Sequence, residues 1–138
     1  MTDARIDQVY TDLLAAREFL AQAETFLADA NVDALTAESK AILLHSATVS
    51  ACDAILQAVG LRVTSGDGSH VLRIEAALEQ VDGNTEDLLE RLDASRARRN
   101  EASYAAAFVP IASVADAREA TAELIELARA FVGGQASK

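Results

Sequence analysis

The chain has 138 residues, a length that suits one domain built around one hydrophobic core. A hydrophobic content of 51% excludes a disordered chain, and 4% aromatics with no Trp argue against a sheet held by large side chains. The net charge of −10 excludes nucleic-acid binding spread over the whole surface, but leaves room for a local basic site.

Alanine richness, one proline and six glycines favour a few long, closely packed helices. The first predicted helix covers about 4–30, because Ile6, Val9, Leu13, Ala16, Leu20, Ala23 and Leu27 recur in three- and four-residue steps. Asn31 and Asp33 mark its end. A second helix is expected over about 36–60, with Thr36 as N-cap and Gly60 as terminator. Its stripe of Ile42, His45, Val49, Cys52, Leu56 and Val59 lies beside a second surface of small residues such as Ala47, Ala51 and Ala54. Two apolar surfaces predict a buried central helix. His45, Asp53 and Gln57 speak against a membrane span there.

Thr64–Ser69 reads as a turn, and Ser69 can cap a third helix carrying Val71, Ile74, Leu78 and Val81. Asp82-Gly83-Asn84 breaks the chain, with Asn84 and Asp87 spaced like a capping box. The fourth helix presents Leu88, Leu92, Ser95, Arg99, Ala102 and Ala106 in heptad-like steps, up to a break at Val109-Pro110. Ser113 with Asp116 offers a cap for the fifth, whose inner face is Val114, Ala117, Thr121, Leu124, Ala128 and Phe131. The tail from Gly133 is expected to fray. The predicted fold is an all-α, up-and-down bundle of four to five helices. It forms one domain over 1–138 with its core in about 4–132 and no strand.

One stretch departs from this acidic background. Residues 91–100 hold four arginines against one aspartate, a local charge of +3. Arg99 stands where the apolar stripe of the fourth helix should continue. Two readings are open for it. Its stem can cross the bundle edge while its guanidinium pairs with a carboxylate, Asp53 being one partner for Arg99 or Arg96. Alternatively its fixed donor fork holds a phosphate, with Arg96 and Arg98 as accessories. Asn100 shares a face with Tyr104, whereas Arg99 and Tyr104 lie about 140° apart around an ideal helix. Both could line one cleft only from its opposite edges, or with a symmetric partner supplying the other wall.

The run Arg99-Asn100-Glu101-Ala102-Ser103-Tyr104 resembles the signature of the HEPN superfamily, small helical domains of prokaryotic toxin and nucleotidyltransferase-partner proteins. That signature is an arginine, a polar residue, three variable residues and a histidine, so Tyr104 stands in the histidine position. The helix layout over about 125 residues is similar to this fold, and the SAV-6107-like HEPN branch is the nearest within it. The resemblance implies a homodimer with motif helices facing one another. In active relatives it also implies metal-independent RNA cleavage by the Arg and His. On this resemblance Arg99, Asn100 and Tyr104 are the catalytic candidates, and Arg96, Arg98 and Arg99 the phosphate-binding ones. A tyrosine is a poor general base at pH 7, so the change at Tyr104 weakens the case for cleavage.

Three functions follow as expectations. The favoured one is a dimeric binding or regulatory domain whose partner is RNA, a nucleotide or another protein. A metal-independent endoribonuclease and a purely structural protein-interaction bundle are the alternatives. His45 and His70 are the candidates for a replacement base, His45 on the buried stripe and His70 exposed. No metal or other cofactor is expected, since the two histidines lack ligand spacing and Cys52 stands alone. The opening MTDARIDQVY has no signal-peptide layout, and a cytoplasmic protein without a membrane partner is expected.

Overall fold

The computed structural model describes residues 5–64, 69–105 and 111–137, with the side chains of 98–105 outside the description. Five helices and a small sheet follow in the order β1 (Ile6–Gln8), α1 (Leu13–Asp29), α2 (Ala37–Ala58), β2 (Leu61–Val63), α3 (Ser69–Glu79), α4 (Glu86–Ala105) and α5 (Ile111–Ala136). The bundle is mostly helical, as expected, but the strand pair corrects the expectation that no strand forms. β1 and β2 pair antiparallel, with Ile6 opposite Val63, Asp7 opposite Arg62 and Gln8 opposite Leu61. Backbone bonds from Val9 N to Gly60 O and from Thr64 N to Arg5 O, both 2.8 Å, extend the ladder at each end.

Two local features convert the expected first helix into a strand and a shorter helix. Asp12 is extended, at φ −136°, and its Oδ1 accepts the Ala15 amide at 2.9 Å, so α1 starts at Leu13. Ile6 and Val9 therefore fit a helical spacing without being helical. At the other end of the pair, Gly60 has φ +74° and turns the chain out of α2 into β2. A Cβ there would lie 2.5 Å from the Val9 carbonyl oxygen, so the close approach of β1 requires glycine.

The second helix follows expectation more closely. Thr36 caps α2, its Oγ1 accepting the Ser39 amide at 3.1 Å. By length and hydropathy α2 could cross a membrane, yet it is the central helix here, packed by α1, α3, α4, α5 and β2. Its later half is buried almost all round, with Ala47, Ala51, Cys52, Ala54, Ile55 and Leu56 inside. Small side chains let the neighbouring helices approach closely, and Leu78, Leu88, Leu92, Leu124 and Ile125 fill the space between them.

The remaining boundaries shift by a few residues. Asn84 Oδ1 accepts the amide of Glu86, not that of Asp87, at 3.1 Å. α5 begins at Ile111, which places Ser113 inside the helix instead of at its cap. It also runs through Gly133 and Gly134 to Ala136, so the expected fraying from Gly133 does not occur. The inner face of α5 has Val114, Ala117, Thr121, Leu124 and Ala128 buried as read, while Phe131 is only half-buried and packs against the edge of the core.

Candidate functional site

α2, α4 and α5 converge on a narrow cleft with a cavity volume of about 30 Å³, room for a water or two. Leu44, Ile74, Leu92, Val114 and Ala117 give it apolar walls. Polar groups enter from all three helices: His45 and Thr48 from α2, Ser95 and Arg96 from α4, Ser113 and Thr121 from α5. Thr48 and Thr121 are buried, whereas His45, Ser95, Arg96 and Ser113 are half-buried. The threonines therefore sit at the inner end and the other four nearer the mouth.

The inner pair is hydrogen-bonded throughout. Thr48 Oγ1 donates to the Leu44 carbonyl one turn back, at 3.0 Å, and lies 3.2 Å from Thr121 Oγ1. Two threonines facing one another across α2 and α5 are thus satisfied without water.

The arginine run divides into two parts. Arg91 is held on the outside of the bundle by Asp87 at 2.9 Å and Glu123 at 2.5 Å. The hydrogen bond to Glu123 first, then the Glu123 charge and the hydrogen bond and charge of Asp87, raise its already high pKa. Arg96 gives its Nε to Asp93 Oδ1 at 2.9 Å while lining the cleft. The chain's own acidic side chains thereby engage two of the four arginines. Arg98, Arg99, Asn100 and Tyr104 belong to the same helix, and their side chains lie outside the described residues. Arg99 follows Arg96 by three residues and Asn100 by four, about one helical turn.

Asp53 does not pair with Arg96, as one reading of the sequence allowed. Its Oδ1 accepts from Arg73 Nε at 3.0 Å, across α2 and α3, and both side chains are largely enclosed. α3 lies directly on the Asp53 face of α2, while Arg96 is engaged by Asp93 on its own helix. Burial raises the Asp53 carboxyl above its ordinary range, and the charge and hydrogen bond of Arg73 offset part of this. Beside it, the fully buried Cys52 thiol is pushed far up, by burial first and by Asp53 second. That leaves no thiolate to act as a nucleophile.

Sequence spacing missed one association altogether. His45 and His70 stand 25 residues apart on different helices, yet their rings meet edge to face with centroids 4.9 Å apart. Arg73 Nη1 lies 3.4 Å from His70 Nδ1. A polar chain therefore runs from Asp53 through Arg73 and His70 to His45 at the cleft. Among the described residues no group of three or more His, Cys, Asp or Glu is placed to hold a metal ion. Comparison with protein-family models, with curated proteins and with solved structures found no match.

Proposed function

We propose that the chain is a HEPN-like, dimeric binding or regulatory domain of the cytoplasm whose ligand is RNA or a nucleotide. Arg99 is its central phosphate contact, with Arg96, Arg98, Asn100 and Tyr104 around it. The observation that carries this reading is the position of Arg96 in the cleft wall, from which the chain's one concentrated run of positive charge continues along α4. In a protein of net −10 such a run is where a phosphate-bearing ligand gains most.

The test is binding of mixed single-stranded RNA and of nucleotides to the purified chain, with Arg99→Ala as control and sedimentation to give the oligomeric state. Binding that falls at least about tenfold in Arg99→Ala is expected, the loss of one charge-assisted phosphate contact. Absence of both RNA and nucleotide binding overturns the reading and leaves a protein-interaction bundle.

The presence of His45 in the same cleft wall favours a second reading, metal-independent RNA cleavage. An imidazole exchanges protons near neutral pH, which a phenol such as Tyr104 does not. Cleavage in EDTA that disappears in both Arg99→Ala and His45→Ala would establish it. Binding without cleavage would exclude it.

A further inference from the structure

We infer that the contact between His45 and His70 is an acid-sensitive latch, which holds the first turn of α3 on α2 at neutral pH and releases it when the imidazoles take up protons. The latch is a property of the chain without ligand and goes beyond the reading of a nucleotide-binding domain.

The guanidinium beside the pair is held in place. Arg73 donates from Nε to Asp53 Oδ1 at 3.0 Å, reaches the Val63 carbonyl with Nη2 at 3.5 Å, and places Nη1 3.4 Å from His70 Nδ1. It cannot turn away from His70 without giving up a largely enclosed carboxylate. The His70 ring, on the second residue of α3, meets the half-buried His45 ring at 4.9 Å between centroids. A neutral imidazole keeps one nitrogen free of hydrogen and can turn it to a guanidinium, whereas an imidazolium carries N–H on both. Protonated His70 thus sets N–H against N–H at Nη1. A second imidazolium on His45 adds a like charge beside it.

Each packed element contributes to the charge around the pair. α2 brings Asp53, already engaged by Arg73 of α3. α4 brings Arg96, which lines the same cleft as His45 and holds Asp93. α5 brings the hydroxyls of Ser113 and Thr121, and α1 meets α2 through the neutral Gln22 and Ser50. β2 brings the Val63 carbonyl, while its Arg62 is exposed and paired with Asp7. A proton on His70 also lies at the N-terminal end of α3, where the helix dipole disfavours a cation. The closed contact therefore binds protons less readily than the open one. It is kept above the histidine range near about pH 6.5 and lost below it. His70 is exposed and has water to turn into, whereas Ile74, Ala77 and Leu78 stay in the core. The release is thus confined to the first turn of α3, and it uncovers His45 at the cleft mouth.

Nuclear magnetic resonance of the full chain between about pH 7.5 and about pH 5 tests this, a range that spans histidine titration. A cross-relaxation peak between the ring protons of His45 and His70 is expected at the upper pH and should vanish at the lower. The amides of Arg73 and Ile74 bond back to the carbonyls of Ser69 and His70 in an α-helix. Their exchange protection, corrected for the intrinsic rate, should fall about tenfold over the same range, the scale of one like-charge contact near a protein surface. Leu124 and Ile125 of α5 should keep theirs, since the core stays folded. In His70→Gln, which does not titrate, the pH dependence at Arg73 and Ile74 should disappear. A ring–ring peak that persists at the lower pH, while the imidazole carbon shifts show both rings protonated, overturns the latch. So does a loss of protection that is unchanged in His70→Gln. Neither result touches the phosphate-binding reading, which the Arg99→Ala comparison tests separately.

Discussion

Replacing Arg73 by Met would strand the Asp53 carboxylate between α2 and α3. The ion pair is 3.0 Å long, and its side chains are only 13% and 28% exposed, so little water can replace the guanidinium. Removing one partner of a buried pair costs about 3–5 kcal/mol. The residual exposure screens part of that, which brings the expected loss to about 2–3 kcal/mol. The pH dependence is more diagnostic than the size. Burial already raises the Asp53 carboxyl, and Arg73 is what holds it down. In Arg73→Met only the raising influence remains. The folded state then binds a proton more readily than the unfolded chain, so ionised Asp53 costs stability at neutral pH. Stability should return as pH falls through the folded value, toward the unfolded value near about 3.9, with a slope of at most about 1.4 kcal/mol per pH unit.

Urea unfolding followed by circular dichroism between pH 7.5 and pH 4.5 would measure this. Arg73→Met should be compared with Arg73→Met/Asp53→Asn, which shares every other titrating group. The double variant should be the more stable at pH 7.5, and the two curves should converge as pH falls. Parallel curves would show that Asp53 is not the group left uncompensated, and the reasoning would be refuted.

Gly60→Ala should cost at least about 1–3 kcal/mol and remove hydrogen-exchange protection at Val9, because φ is +74° and the new Cβ meets the Val9 carbonyl oxygen at 2.5 Å. Gly83→Ala, at φ +105° with nothing within 4 Å, should show the backbone cost alone. Cys52 should not react with a thiol reagent at pH 8 in the native protein, and its labelling rate should follow unfolding; rapid native-state labelling would contradict its burial. Arg91→Gln should change stability by under about 1 kcal/mol, since the ion pairs it loses are exposed. It should change RNA affinity less than about twofold, because Asp87 and Glu123 already occupy its guanidinium; a loss as large as that of Arg99→Ala would show that the ligand strips Arg91 from its carboxylates.

Periodicity revealed the helices where they are long and singly faced. The expected limits of α2 match within two residues because Thr36 and Gly60 are strong local signals for a start and a stop. β1 was illegible because Ile6 and Val9 continue the spacing of α1, and nothing at that distance tells a three-residue strand from one helical turn. Its formation depends on Gly60, which is 51 residues from Val9 in the chain and bonded to it in space. The site divides in the same way. Arg96 could be singled out by charge, but the inner threonines could not. Thr48 lies outside both expected stripes of α2, and Thr121 is one polar residue on an apolar face. Only the packing of α2 on α5 turns them into a pair. The exchange of Arg96 for Arg73 as the partner of Asp53 has the same origin, since a sequence with 12 basic and 22 acidic residues allows many pairings that geometry alone decides.

The polar residues of α2 have a shared consequence for the cleft. Ala47, Ala51, Ala54 and Ala58 give α2 smooth surfaces, along which a neighbouring helix could shift by a turn with little loss of apolar contact. Three of the neighbouring helices are tied instead by polar partners. Ser50 donates to Gln22 of α1 at 3.1 Å, Thr48 meets Thr121 of α5, and Asp53 and His45 meet Arg73 and His70 of α3. A shift of one turn would leave a buried hydroxyl or carboxylate without its partner, at about 1–3 kcal/mol for each neutral group and more for the charged one. These contacts therefore fix register more than they add stability. The cleft inherits that precision. Thr48 both locks α5 onto α2 and sets the direction of the Thr121 proton, so the contact that defines the packing also leaves the inner end of the cleft an acceptor.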